Sequence, residues 1–398
     1  MKDVCVSGLG ALTPLGASLE EFWSGLVEPS LKFAPPSGCP QVGVPVAEIR
    51  SSEFIAGSAV SHPALCDRSA LLAVAATRSA LEDAGLTTDS CDPGRVAVIV
   101  GSGAAGVATL DEEYERFYRQ GQLQLSPLTV PKMMSSSAAS WISMTFGFRG
   151  PAFVVASACA SGTHSIGIAA QLIESGVVDV AVCGGTDSYL AEGALSAWQA
   201  IGVLSEDTCR PFAAGRTGLV LAEGAGVLVL ESAEHARARG FVPRARVLGA
   251  GSSADAGHLT RPCAEGMASA MTGALRSASV SRAEIDYVNA HGTGTIANDR
   301  TETAALKTVF GVGSVPVMSS TKGTTGHALG AAGGIEALAA LLALEHGVLP
   351  PTANFDAPDP ACDLDCVPNT AREHRTRTVM SNSFAFGGLN ASVVFGRL

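Results

Sequence analysis

The chain has 398 residues, 47% of them hydrophobic and 16% charged, with 45 glycines. Its 26 lysines and arginines stand against 37 aspartates and glutamates, a formal net charge of −11, which argues against broad nucleic-acid or anionic-membrane binding. A chain this long buries a large core, as two domains or as one double-sized α/β unit. The ten cysteines show neither zinc-finger nor thioredoxin spacing, and the closest pair, Cys362 and Cys366, has no histidine at metal-ligand spacing; reduced thiols in a cytoplasmic protein are expected. No signal-peptide core follows Met1, and the most apolar helical stretch, Ile335 to Leu344, is too short for a bilayer, so the sequence reads as a soluble protein.

In chain order, Val4–Leu9 predicts a strand and Gly10–Gly16 a turn-rich loop. Ser18 caps a helix over Leu19–Leu26, with Glu20 and Glu21 in its first turn. Residues 28–50 read as Pro/Gly-rich surface loop, and 66–84 as a long amphipathic helix stopped by Gly85. The strand Val96–Val100 runs into Gly101-Ser102-Gly103, which does not complete a dinucleotide-binding GxGxxG. Residues 127–150 combine a loop with a helix of small residues suited to close packing.

Phe153-Val154-Val155 then leads through small residues to Cys159 and a helix that stops at Gly176. A cysteine at a strand-to-helix turn sits where backbone N–H groups and the helix dipole lower the thiol pKa. Cys159 is thus a candidate nucleophile, against the alternative of one more buried core cysteine. Strands follow at Val178–Cys183 and Val227–Leu230, then a helix at Ala233–Arg239. A second round of alternating elements starts at Ala245–Leu248. It continues with the strand Tyr287–Ala290, the helix Arg300–Val309, the strand Val315–Met318, a helix over about 330–345 and strands near 379–382 and 391–395. VVASACASGTHSIGIAAQLIESG and VMSSTKGTTGHALGAAGGIEALAALLALEHG repeat one pattern: apolar run, small polar turn, Gly/Ala-rich helix. An internal duplication with two closely packed central helices follows, between sheets covered by helices.

Three motifs of the second half end apolar runs, where α/β folds place their sites: His291-Gly292-Thr293-Gly294-Thr295, Lys322-Gly323-Thr324-Thr325-Gly326-His327 and Asn382-Ser383-Phe384-Ala385-Phe386-Gly387-Gly388. With Cys159, and with VSGLGALTPLG at the start and FAFGGLNASVVF at the end, they resemble the β-ketoacyl-ACP synthases, condensing enzymes of the thiolase superfamily. The resemblance covers nearly the whole chain. It implies an α/β, thiolase-like five-layered αβαβα fold with internal duplication, in which residues 1–240 carry the nucleophile, 241–398 carry two catalytic histidines, and both form one compact dimerising unit.

The implied reaction is decarboxylative Claisen condensation of a Cys159-bound acyl chain with malonyl-ACP. No metal or resident cofactor is implied, because the phosphopantetheine arm belongs to the acyl carrier protein. By resemblance, the N–H groups of Cys159 and Phe386 form an oxyanion hole, and His291 and His327 stabilise the enolate as neutral imidazoles beside Lys322. Lys322 and Glu302 form an ion pair positioning the second histidine. Thr293 and Thr295 bind the pantetheine arm, and Phe386 with Phe384 gates the acyl tunnel. His164 and Glu223 read as structural residues, and His258 either lines the pantetheine entrance or merely satisfies a loop.

The chain departs from the family at Ala213, Thr217 and Leu219 in RPFAAGRTGL, at Leu389, and at Ala104, where a bulkier residue often closes the tunnel. These changes favour a discrete type II polyketide or polyene system over housekeeping fatty-acid elongation. A non-catalytic chain-length-factor-like partner is disfavoured by Cys159, and a CoA-dependent thiolase by FAFGG where its second cysteine would stand. Carrier docking is expected to be unusual: Ser61-His62-Pro63-Ala64-Leu65 lacks lysine and arginine, and Glu206-Asp207 replaces a second basic position. Either Arg68, Lys132, Arg210 or Arg261 takes over, in a homodimer, or a homologous subunit supplies the surface in a heterodimer.

Overall fold

The structure, a computed structural model, describes residues 2–57, 60, 62–87 and 90–398; Ser61 of the expected docking run lies outside the described residues. Ten strands form its main sheet: β1 (Val4–Leu12), β2 (Val96–Gly101), β3 (Ala152–Val155), β4 (Val180–Asp187), β5 (Gly224–Ser232), β6 (Ala245–Ala254), β7 (Tyr287–Asn289), β8 (Val317–Ser319), β9 (Thr378–Ala385) and β10 (Leu389–Gly396). Their spatial order is β8-β7-β9-β10-β6-β1-β5-β4-β2-β3. The first five strands lie in the order β3-β2-β4-β5-β1 and the last five in the order β8-β7-β9-β10-β6, so every strand has its counterpart five strands later. Directions repeat too: β2 is parallel to β3 and β4, as β7 is to β8 and β9, while β5 and β10 run antiparallel to both of their neighbours within the set. The sets join where Val4–Val6 of β1 pairs with Ala245–Val247 of β6.

This repetition is the duplication expected from the sequence. β1, β2, β4 and β5 are buried along their whole length, which is why they read as continuous apolar runs without alternation. The helices Ser161–Glu174 and Ala332–His346 lie between the two sets and touch strands of both. Outer layers are formed by Arg68–Asp83 and Ser137–Phe146 on the first set, and by Ala264–Ala278 against β6 and β10, with Ile296–Phe310 beside it. The central helices touch through glycine: a Cβ on Gly162 would come within 2.6 Å of the Gly334 nitrogen. In Ala332–His346 every residue from Ala332 to Leu344 is buried, so it shows no polar face. The apolar helical stretch extends over Leu329–His346, 18 residues of mean hydropathy 1.3, longer than the sequence suggested, and 89% of it is buried in the protein core.

Ser18 caps Leu19–Val27 in a capping box with Glu21, as its spacing predicts. Among the described residues, three helices of ten residues or more escaped the sequence pattern: Val107–Tyr118, mostly polar, Glu192–Ile201, which contains a glycine, and Ala264–Ala278, rich in Ala, Ser and Gly. β1 runs on through the expected loop to Leu12, and β6 extends to Ala254, because β5 and β10 offer them partners over that length.

Candidate active site

Cys159 stands four residues beyond β3 and two before the helix Ser161–Glu174. Ala158 before it adopts φ +50°, a left-handed conformation unusual for a residue with a Cβ, and this sharp turn presents the sulfur at the helix mouth. His291 lies two residues beyond β7. Its N–H and that of Gly292 both donate to the Glu302 carboxylate, at 2.8 Å each. His327 is pinned by its backbone, with its N–H donating to the Val220 carbonyl at 2.7 Å and its own carbonyl accepting from Ala222 at 3.0 Å.

These anchors bring the three side chains together. Cys159 Sγ lies 3.1 Å from His327 Nε2, the imidazole rings are 5.3 Å apart, edge to face, and the three donor atoms lie within 4.8 Å of one another. The Phe386 N–H donates toward the sulfur. The Phe384 ring stands 6.2 Å from that of His291.

Burial controls the electrostatics. Both imidazoles are held well below the usual histidine range, first by desolvation and then by the Lys322 ammonium, so both are neutral as expected. The thiol departs from expectation. Burial pushes it up to about 12, aided by Asp187 and Glu336 and opposed by Lys322. The helix terminus does not overcome desolvation here, because a buried thiolate loses more hydration than a helix dipole restores. The nearby His327 Nε2 is therefore the acceptor to which the thiol proton can go.

The expected pairing of Lys322 with Glu302 is corrected. The Lys322 ammonium pairs with Glu336, on the second turn of the glycine-rich helix, while Glu302 gathers backbone N–H groups beneath the His291 turn. Lys322 also serves the first histidine, not the second. It donates to the His291 carbonyl at 2.6 Å and lies 3.3 Å from Nδ1. An ammonium only donates, so Nδ1 accepts and the His291 proton resides on Nε2. Glu336 went unrecognised in the sequence, although it is the one carboxylate inside an apolar helical run.

Cys159, His291, His327, Thr293, Thr295, Leu219, Phe384 and Phe386 line one cavity, joined by Trp198, whose ring stacks on Phe386 at 5.9 Å. Trp198 was also missed, since one aromatic in a short helix carries no pattern. Ala104 is not brought to this cavity; its N–H faces Asp187 behind the nucleophile turn. His164 Nδ1 meets Ser157 Oγ at 2.7 Å, and His258 Nδ1 accepts from the N–H groups of Thr260 and Arg261.

Glu223 is a structural hub, taking Arg68 through two nitrogens, the Ile49 N–H and the Ser188 hydroxyl. Arg68 is thereby removed from the docking candidates, and Arg210 is bound to Asp207 through both terminal nitrogens. Arg261 stands exposed at the cavity mouth.

The sequence profile described as “Beta-ketoacyl synthase, N-terminal domain” matches residues 1–236, and “Beta-ketoacyl synthase, C-terminal domain” matches 244–356. Nodulation protein E of Rhizobium sp. (strain N33) is 42% identical over 406 residues, covering 99% of each chain. The 3-oxoacyl-[acyl-carrier-protein] synthase 2 of Coxiella burnetii is 37% identical, covering 100% of this chain and 99% of its own. Among solved structures, the ishigamide ketosynthase/chain length factor superposes with a TM-score of 0.94 at 36% identity, over 100% of this chain and 99% of that one. With a buried cysteine facing two neutral imidazoles across a duplicated α/β frame, and with this similarity from end to end, the chain belongs to the β-ketoacyl synthase family of acyltransferases.

Proposed function

We propose that this chain is the condensing subunit of a discrete type II system, which extends an acyl chain held on Cys159 by decarboxylative Claisen condensation with malonyl on an acyl carrier protein. The observation that carries this reading is the 3.1 Å approach of Cys159 Sγ to His327 Nε2 beside a second imidazole whose proton is fixed on Nε2. A silent partner subunit has no use for a nucleophile and its proton acceptor.

In the first half-reaction Sγ attacks the carbonyl of the acyl carrier thioester. Its proton passes to His327 Nε2 and on to the departing carrier thiol, and the N–H groups of Cys159 and Phe386 hold the oxyanion. In the second, malonyl loses CO₂ and the electron pair of the broken C–C bond moves onto the thioester oxygen. There His291 donates from its Nε2–H, and so does His327 once its proton has moved from Nδ1 to Nε2 by exchange with solvent after the carrier thiol leaves. The enolate carbon attacks the Cys159 thioester, the C–S bond breaks, and the sulfur takes a proton that solvent delivers through His327 Nε2. Thr293 and Thr295 receive the pantetheine arm. Lys322, neutralised by Glu336, keeps His291 in its donor tautomer.

The setting we favour is polyketide or polyene synthesis in the cytoplasm, with a chain-length-factor-like homologue as partner. Leu219 in the cavity wall, where the resemblance implies an aromatic, the acidic Glu206 near it, and the exposed edge strand β3, where Phe153 is 41% exposed, support that setting. Arg261 at the mouth is then the chain's own contribution to carrier docking. Incubation with acyl carrier protein alone, read by peptide mass spectrometry, is expected to place the acyl mass on Cys159; acylation that persists in Cys159→Ala overturns the assignment. Turnover with and without the partner subunit decides the assembly, and full elongation by this chain alone removes the heterodimer.

A further inference from the structure

The duplication pairs positions as well as strands. The central helices begin at Ser161 and Ala332, so Cys159 and Gly330 each lie two residues ahead of one. Cys159 meets Phe386, one residue beyond β9, and Gly330 meets Asp187, the last residue of the counterpart strand β4. The same junction is thus built twice. In one copy the nucleophile faces a cavity. In the other there is no room for a side chain: a Cβ on Gly330 would lie 2.6 Å from Asp187 Oδ2 and would overlap the Gly103 nitrogen.

Asp187 itself fills that second junction. It is 0% exposed, and its Oδ1 accepts from the Ser102 hydroxyl at 2.7 Å while Oδ2 accepts from the N–H groups of Gly103 at 2.9 Å and Gly330 at 2.6 Å. Ser102 and Gly103 follow β2, and Gly330 lies three residues past His327. Between them Leu329 adopts φ +50°, a strained conformation that survives only where its surroundings hold it. A buried carboxylate with donors from two separate turns locks those turns together, because losing any donor leaves it unsatisfied in a low-dielectric interior.

We propose that Asp187 is a positioning residue of the condensing site: its carboxylate plugs the duplicate of the catalytic junction and, through Gly330, holds the turn carrying His327 at its distance from Cys159. This rests on the ketosynthase reading above. The carboxylate touches no reacting atom, but its charge reaches the sulfur; burial pushes the Asp187 carboxyl up to about 7, so it is ionised at pH 8, where both readouts are taken. The groups that act on Cys159 are the neutral His291 and His327, the Phe386 N–H, the Lys322 ammonium, which favours the thiolate, and Glu336 and Asp187, which disfavour it.

Asp187→Asn keeps the shape, removes the charge and turns an amide toward N–H groups that need an acceptor. The expected result is a folded protein whose condensation kcat falls about tenfold with KM for malonyl carrier within about twofold, since the lost interaction acts on the reacting geometry and not on binding. Alkylation of Cys159 by iodoacetamide at pH 8 is expected to become about threefold faster, because an anion that disfavours the thiolate is gone. Structural loosening would also expose the buried thiol, so the melting temperature is measured beside both readouts: slower condensation with a more reactive thiol counts for the proposal only at a parent-level melting temperature. Parent-level kcat or parent-level alkylation in the folded variant overturns the proposal. If Asp187→Asn does not fold or melts below the parent, Ser102→Ala decides, since it deletes one donor: kcat about threefold lower at unchanged KM is expected, and parent-level kcat overturns. Alkylation needs no acyl substrate, so a parent chain that fails to condense sinks the proposed function while the alkylation comparison still reads Asp187.

Discussion

The turn from Ser157 to Ser161 presents one sulfur, whereas the turn from Lys322 to Gly330 presents an ammonium, an imidazole and, where the sulfur would stand, a glycine. Both follow the third strand of a five-stranded set and both open a central helix. The difference shows how a duplicated frame divides labour. One copy keeps the cavity and the proposed nucleophile, while in the other the junction is closed by a carboxylate reaching over from the first, and its polar side chains are lent across the pseudo-symmetric interface. Burial then sets the resting state of the site. The thiol is pushed up and the imidazoles down, so the reacting side chains carry no charge until substrate arrives.

That division can be broken from the C-terminal side. His291→Ala or His327→Ala is expected to slow CO₂ release from malonyl carrier about 10²–10³-fold, the usual cost of deleting a donor to a developing oxyanion. His291→Ala should spare most acyl loading of Cys159, because only His327 touches the sulfur. Measuring CO₂ release and loading in the same preparations checks this, and equal losses in both steps would merge the two roles assigned to the halves.

Lys322→Met removes the partner of Glu336 inside the core. A buried pair broken on one side costs about 3 kcal/mol, measured by denaturant unfolding, and loss of the His291 tautomer lock should depress condensation as well. Gly162→Ala tests the contact between the copies themselves. Its Cβ would press on the Gly334 backbone, and overpacking of this kind costs about 2 kcal/mol. An unchanged melting temperature would mean that the central helices can slide apart without loss. Ser18→Ala, remote from both turns, should cost about 1 kcal/mol through its cap and leave catalysis alone.

The smallest effect concerns pH. A histidine whose folded pKa lies below its unfolded value stays neutral as pH falls through the usual range near 6.5. The imidazoles therefore leave the decarboxylation rate unchanged from pH 8 to pH 6.5, and a decline there comes from the buried carboxyls of Asp187, Glu302 and Glu336, each pushed up to about 7 chiefly by desolvation. A rate about twofold lower near pH 7 than at pH 8 is expected, and a profile flat to below pH 6 would show that these carboxylates are better solvated than their burial indicates.

Local chemistry was enough to locate much of this protein in its sequence. Strand-end turns of small residues marked Cys159, His291 and His327, and two similar stretches announced the duplication, because the chain must turn tightly wherever a sheet hands over to a helix. Pairings between distant segments were not legible. Glu302 and Glu336 are equally plausible partners for Lys322 until the fold aims one at backbone N–H groups and the other at the ammonium. Arg68 reads as a surface base until Glu223 is brought to it from 155 residues away. The thiol pKa was misjudged for the same reason: a helix terminus is visible in sequence, but the depth at which it is buried is not. Asp187 is the clearest case, an ordinary acidic residue after CGGT in the sequence. Only the folded duplication, by placing it against Gly330 and Gly103, turns it into the plug of a second junction, since that environment is made by segments that meet only in three dimensions.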